Sequence, residues 1–110
     1  MIEQSQHPIL ENLATSVLVL DSELRIEYVN PAAETLFEIS AKKAYGRQWS
    51  DIATTSNGFI DLLQSSLDTT HPFSERELAL TTAGNKTITV DCTVTPMLEP
   101  QYGKGLLIEI

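Results

Sequence analysis

The run Val29-Asn30-Pro31-Ala32-Ala33-Glu34 follows directly on the alternating segment Leu24-Arg25-Ile26-Glu27-Tyr28, and no other feature constrains this chain as much. It marks a strand that hands over to a helix with no loop between them. Asparagine is a favoured N-cap, and proline at the first helical position loses nothing by its missing N–H, so Asn30 and Pro31 are predicted as a structural cap. A strand that ends in a proline-started helix turns away from its own sheet. The segment that follows must then cross a sheet face.

Around that junction the pattern resolves into short elements. Pro8 to Ala14 places Ile9, Leu10, Leu13 and Ala14 on one helical stripe. Ser16 to Leu20 is a continuous apolar run rich in β-branched residues, which predicts a strand covered on both faces. Asp21-Ser22-Glu23 turns the chain into the second strand, where strict alternation puts Leu24, Ile26 and Tyr28 on one side and Arg25 and Glu27 on the other. After the cap, Ala33, Leu36 and Phe37 keep helical spacing. Ser40 to Ile52 is mixed, broken at Gly46, and predicts short helical turns anchored by Trp49 and Ile52. A clearer helix, 58–69, is capped by Ser56 or Asn57 and closed by His71-Pro72, since a residue before proline is pushed out of helical space.

The last third reads as β. Residues 73–81 set Arg76, Leu78 and Leu80 against Glu75, Glu77 and Ala79, and Ala83-Gly84-Asn85 predicts a tight turn. Ile88, Val90, Cys92 and Val94 then alternate with a ladder of Thr87, Thr89, Asp91, Thr93 and Thr95, with Pro96 as the expected stop. A final strand occupies 105–110. Five antiparallel strands with a helical block inserted after the second cannot form a parallel βαβ array. The fold class expected is therefore α+β, with the helices on one face of a five-stranded sheet and a short N-terminal helix. Residues 1–15 are read as an N-terminal helical segment and 16–110 as the folded domain.

At 110 residues the chain is long enough for one domain that buries roughly two-thirds of its unfolded surface. Its formal charge is −8, which repels nucleic acid and anionic membrane, so neither is expected as a partner. Lys42, Lys43 and Arg47 are the one local group of cations, and a solvated helix face is their simplest reading. A lone cysteine excludes an internal disulfide. The amino terminus lacks the basic and apolar regions of a signal peptide, and no run approaches the ~20 apolar residues of a membrane span. These features predict a cytoplasmic location.

The residues offer little for catalysis or metal binding. No pair of His, Cys or carboxylate ligands stands at a metal-ligand spacing. Glu75 and Glu77 share a strand face in this reading, where two carboxylates are more simply a solvated edge than an acid and base pair. Phe37, Ile39, Trp49, Ile52, Phe59 and Leu63, with Tyr28 and Cys92 beneath them, are candidates to line a pocket. In a small domain such side chains ordinarily fill the space themselves. No catalytic residue, no metal and no cofactor is expected.

Taken in order, the strand from Ser16, the strand into Tyr28-Val29-Asn30-Pro31-Ala32-Ala33-Glu34 and the paired strands around Ala83-Gly84-Asn85-Lys86 resemble the PAS family over nearly the whole chain. The Tyr28 to Glu34 run, the Ser66-Leu67 helix end and the bare amino terminus are more narrowly similar to the amino-terminal PAS domains of nitrogen-regulation sensor histidine kinases. That resemblance implies the sensory module of a two-component kinase controlling nitrogen-assimilation transcription. Its kinase domains would lie beyond Ile110 in the same polypeptide, and a PII-type regulator and a response regulator would contact those later domains. The alternative is a PAS domain of another bacterial regulator that binds a small molecule or cofactor.

Haem-binding PAS domains offer an axial histidine from the long helix, but residues 58–69 contain none; His71 falls past its end and His7 lies near the terminus. The Asn-Cys-Arg-Phe run of flavin-adduct domains is also missing, and Cys92 sits at an inward strand position where a thiol packs and stays inert. A homodimer has the better physical case. A helix as short as the one expected at 8–14 must bury its stripe, and the run Val17 to Leu20 needs a cover. Ile9, Leu10, Leu13, Val17 and Val19 are the interface candidates, in a symmetric pair where each N-terminal helix covers the other copy's sheet.

Overall fold

In the computed structural model, which describes residues 15–56, 58–99 and 103–110, Asn30 stands where the first hairpin meets the first helix. Strands β1 (Val17–Asp21) and β2 (Ile26–Val29) form that hairpin. Its turn is held by the Asp21 carboxylate, whose Oδ1 accepts from the N–H of Glu23 at 2.8 Å and of Arg25 at 2.9 Å. Three short helices follow: α1 (Pro31–Phe37), α2 (Ala41–Ala44) and α3 (Trp49–Ile52). After a short strand β3 (Ala53–Thr55) come the longer helix α4 (Phe59–Thr69) and strands β4 (Phe73–Thr82), β5 (Thr87–Glu99) and β6 (Gly103–Glu109).

The strands make one sheet in the order β2-β1-β6-β5-β4-β3, with every neighbouring pair antiparallel. The first and last strands of the domain thus lie side by side in its middle. Leu18, Leu20, Leu80, Val94, Leu106 and Ile108 from the sheet share one buried cluster with Ala33, Phe37, Trp49, Phe59 and Leu63 from the helices, so the helices cover a single face. This is an α+β arrangement of the PAS kind, and from β1 to β6 the order of elements is the expected one except for the added strand β3.

The sheet has six strands rather than five. Ala53–Thr55 pairs with the outer edge of β4, Ala53 opposite Thr82 and Thr55 opposite Leu80. Three residues give too short a run for alternation to be read, and the edge of β4 supplies the partner that makes them a strand. Nor does Pro96 end β5; it lies inside the strand, opposite Leu106. Ser16 and Ile110 exchange backbone hydrogen bonds of 3.2 and 2.9 Å. By the alternation of an antiparallel ladder, Leu106 then faces β1, and the Pro96 nitrogen faces away from β6. On that side β4 has not yet begun, because its pairing starts with Phe73 opposite Val94. A proline costs no ladder bond there.

Two bulges alter which side chains face the core. Val19 opposes Tyr28 while Leu20 opposes Ile26, which makes Glu27 an extra residue of β2. Cross-strand partners share a face, so Ile26 stays with the main core and Tyr28 crosses to the other face. In β4, Glu75 opposes Cys92 and Leu78 opposes Val90, leaving Arg76 and Glu77 together across from Asp91. Glu77 adopts φ +55°, and its N–H donates to Asp91 Oδ1 at 3.1 Å. Glu75 therefore joins the inner face with Phe73, and the shared face expected for Glu75 and Glu77 does not form.

Helix α4 begins one residue later than expected, after Gly58, whose φ of +86° is readily available only to glycine. At its other end Thr70 takes a left-handed conformation and returns its N–H to Ser66 O. Asn57, a proposed cap, and the stripe Ile9, Leu10 and Leu13 lie outside the described residues, as does His7.

Candidate functional site

Asn30 is fully buried, and each of its polar atoms has a task. Its Oδ1 accepts from Ala33 N at 2.9 Å, closing the first turn of α1, and from Val17 N at 3.0 Å, fixing the start of β1. Its Nδ2 donates to Thr15 O at 2.9 Å, and its backbone N–H donates to Val17 O at 3.0 Å. One amide thus ties together the helical block, the hairpin and the chain leading into β1. Pro31 occupies the first helical position.

The helices so oriented close over an aromatic row. Phe37 and Trp49 meet edge to face with ring centroids 5.7 Å apart, Trp49 lies 5.9 Å from Phe59, and Phe59 lies 5.9 Å from Phe73. Such contacts add to the burial energy of large rings. Ile52, Leu63 and Cys92 belong to the same cluster, and Ile39 packs against it. Of the pocket candidates, seven are therefore brought together as packed core. Tyr28 is not among them: the Glu27 bulge places it on the opposite face with Val17 and Val19, against Met97 and Leu107. Sequence reasoning did not place Phe73 in this row, although an aromatic just after His71-Pro72 was a usable signal.

Polar groups are sparse beneath the helices. Trp49 is 1% exposed, and its Nε1 has no hydrogen-bond partner among the described residues. Burial pushes the Cys92 thiol up to about 12, and the Glu75 carboxylate opposite adds to the rise. That thiol stays protonated at neutral pH and is a poor nucleophile. Over the β4 bulge lies an open cleft of about 380 Å³ lined by Glu75, Arg76, Asp91 and Cys92 among others. His71 is exposed, and its carbonyl accepts from the buried Ser66 hydroxyl at 2.6 Å. No group of three or more metal-ligating side chains occurs among the described residues.

The helical block is also fastened at its far side. Glu38 caps the end of α1 in a left-handed conformation, and its carboxylate accepts from the Thr82 hydroxyl at 3.1 Å, next to the β4–β5 turn. Nothing in local sequence pattern signals a contact between residues so far apart. On the outer face of the sheet, Val17 and Val19 are 1% and 4% exposed within a single copy. Among the described residues no helix is long and apolar enough to cross a membrane.

A family model described as the PAS fold matches residues 10–110. The sensory histidine kinase/phosphatase NtrB of Escherichia coli O157:H7 is 34% identical over 80 residues, which are 73% of this chain and 23% of that protein. NtrB of Vibrio alginolyticus is 32% identical over 89 residues, 81% of this chain and 25% of that protein. The chain thus spans about a quarter of the length of these curated relatives. Among solved structures, the PAS domain of nitrogen regulation protein NR(II) from Vibrio parahaemolyticus superposes with a TM-score of 0.79 at 29% identity, covering 97% of this chain and 96% of that one. With the antiparallel sheet, the helices on one face and the Asn30 junction, these matches show that the chain belongs to the PAS family.

Proposed function

We propose that this chain is the sensory and dimerising PAS module of a cytoplasmic NtrB-like histidine kinase that regulates transcription of nitrogen-assimilation genes. The observation that carries the reading is similarity to NtrB over most of the chain, together with end-to-end superposition on an NR(II) PAS domain. Its own chemistry accords with a mechanical role. The space under the helices is filled by large apolar side chains, and the buried thiol is held protonated. A change in packing at the helices would reach β1 and β6 through the shared core, and would pass from there to kinase domains outside this chain. Phosphotransfer, a PII-type regulator and a response regulator would belong to kinase domains outside this chain.

Replacing the PAS domain of the Escherichia coli relative with this chain tests the proposal. The chimera is expected to restore nitrogen-dependent transcription from a reporter in cells lacking that kinase. A soluble chimera whose output ignores nitrogen supply counts against it.

One observation favours a second reading, a PAS domain that senses a small molecule. The unpartnered Nε1 of Trp49 is a buried donor that a ligand acceptor could satisfy. Native mass spectrometry of the purified chain separates the two, since a co-purifying metabolite would support the second.

A further inference from the structure

Four of the seven cations of this acidic chain converge on one turn. Arg25, Lys42, Lys43 and Arg47 are all exposed and lie around residues 42–47. An isolated bridge pairs Arg25 with Gln48, and Arg25 Nη1 donates to Gly46 O at 3.2 Å. Arg47 Nε donates to Lys43 O at 3.1 Å. Both guanidinium groups are thereby tied to the backbone of the same turn, which lowers the entropy they lose on binding. In their midst Tyr45 is 50% exposed, one of few large apolar or aromatic side chains so placed.

Among the described residues, one neighbouring carboxylate pairs with a cation of the group. Glu23 pairs with Arg25 at 3.3 Å, while Glu34 accepts from Ala41 N at 2.8 Å and Asp51 from Gln48 N at 3.3 Å. Lys42, Lys43 and Arg47 form no ion pair among the described residues. Setting the four cations aside leaves three against fifteen acids, a formal −12 for everything else. The surface is thus strongly polarised.

We propose that Arg25, Lys42, Lys43, Tyr45 and Arg47 form a docking surface for a short acidic segment of a partner protein. Charge complementarity selects an acidic occupant, and the Tyr45 ring offers an apolar contact at its centre. The surrounding charge limits its length. A long polyanion such as nucleic acid would run off the patch onto carboxylate-rich surface, whereas a short segment ends within it. At physiological salt, charges beyond ~8 Å are largely screened, so contact energies are set by the patch and not by the net charge. The inference does not depend on the kinase reading.

Fluorescence anisotropy of the full chain with a labelled peptide of alternating glutamate and glycine around one phenylalanine tests it. Binding is expected, weakened about tenfold or more by Lys42→Glu with Lys43→Glu, and about threefold by Tyr45→Ser. Lys86→Glu with Lys104→Glu should leave it unchanged. All these side chains are exposed, and circular dichroism checks that each variant folds. No binding by the wild type, equal loss in the two double variants, or tighter binding of a single-stranded oligonucleotide would each overturn the proposal.

Discussion

Asn30 Oδ1 serves two backbone donors at once, so Asn30→Ala removes a helix cap and also strands the buried N–H of Val17. The two losses together should lower unfolding free energy by about 3 kcal/mol, read by urea denaturation. A variant destabilised by less than about 1 kcal/mol would mean that the amide is only a cap. Cys92 makes a prediction of a different kind. Its thiol titrates near 9.0 in an unfolded chain and at about 12 in the fold, so the native state keeps a proton that the unfolded state has released. Stability from this group is complete below pH 9.0 and is lost as pH rises from there toward about 12. Denaturation across that range should show a decline that Cys92→Ala makes shallower, and the native thiol should resist a disulfide reagent at pH 8 until the chain unfolds. Both residues were legible in part. The cap and the inward position follow from spacing, but Asn30's bonds to Thr15 and Val17, and Glu75 opposite Cys92, do not.

Among the elements, β1 and β6 come so close at one position that only glycine fits. Gly105 lies opposite Asp21, and a Cβ added there would meet the Leu20 carbonyl oxygen at 2.6 Å. Backbone cannot yield as a flexible side chain does. Gly105→Ala should therefore force the central strands apart and cost about 2 kcal/mol or more, with faster amide hydrogen exchange in β1 and β6 as the local readout. Gly84→Ala is the control. Its Cβ would meet only the flexible carboxylate of Glu38 at 3.0 Å, so the loss should be about 1 kcal/mol or less. At this scale the periods of β1, α1, α4 and β5 could be read directly, because each is long enough or regular enough to show one. The failures share a cause: Tyr28, Glu75, Pro96 and Ala53–Thr55 are all decided by what lies across the ladder. A bulge inserts one residue without changing composition, yet it moves every side chain beyond it to the other face.

For the molecule as a whole, the sheet's outer face carries a second, smaller apolar cluster. Val17, Val19 and Tyr28 are buried there, while Met97 and Leu107 are half-buried and Thr93 is exposed. If two copies pair through their amino-terminal stripes, sedimentation of wild type against Leu13→Asp should show a dimer reduced to monomer. A dimer that survives the substitution would place the contact elsewhere. Circular dichroism of the two proteins checks that the substituted chain still folds.

The identity of the fold was present in local chemistry: a capping asparagine before proline, one long amphipathic helix, and strands whose alternation cannot support parallel pairing. These signals act within a few residues, where backbone sterics and side-chain period decide the outcome. Strand order, the sixth strand, both bulges and the approach of Arg25 to the cations around Tyr45 were settled only by tertiary structure. Each depends on which segments meet across the sheet or around a turn, and local spacing carries no record of that.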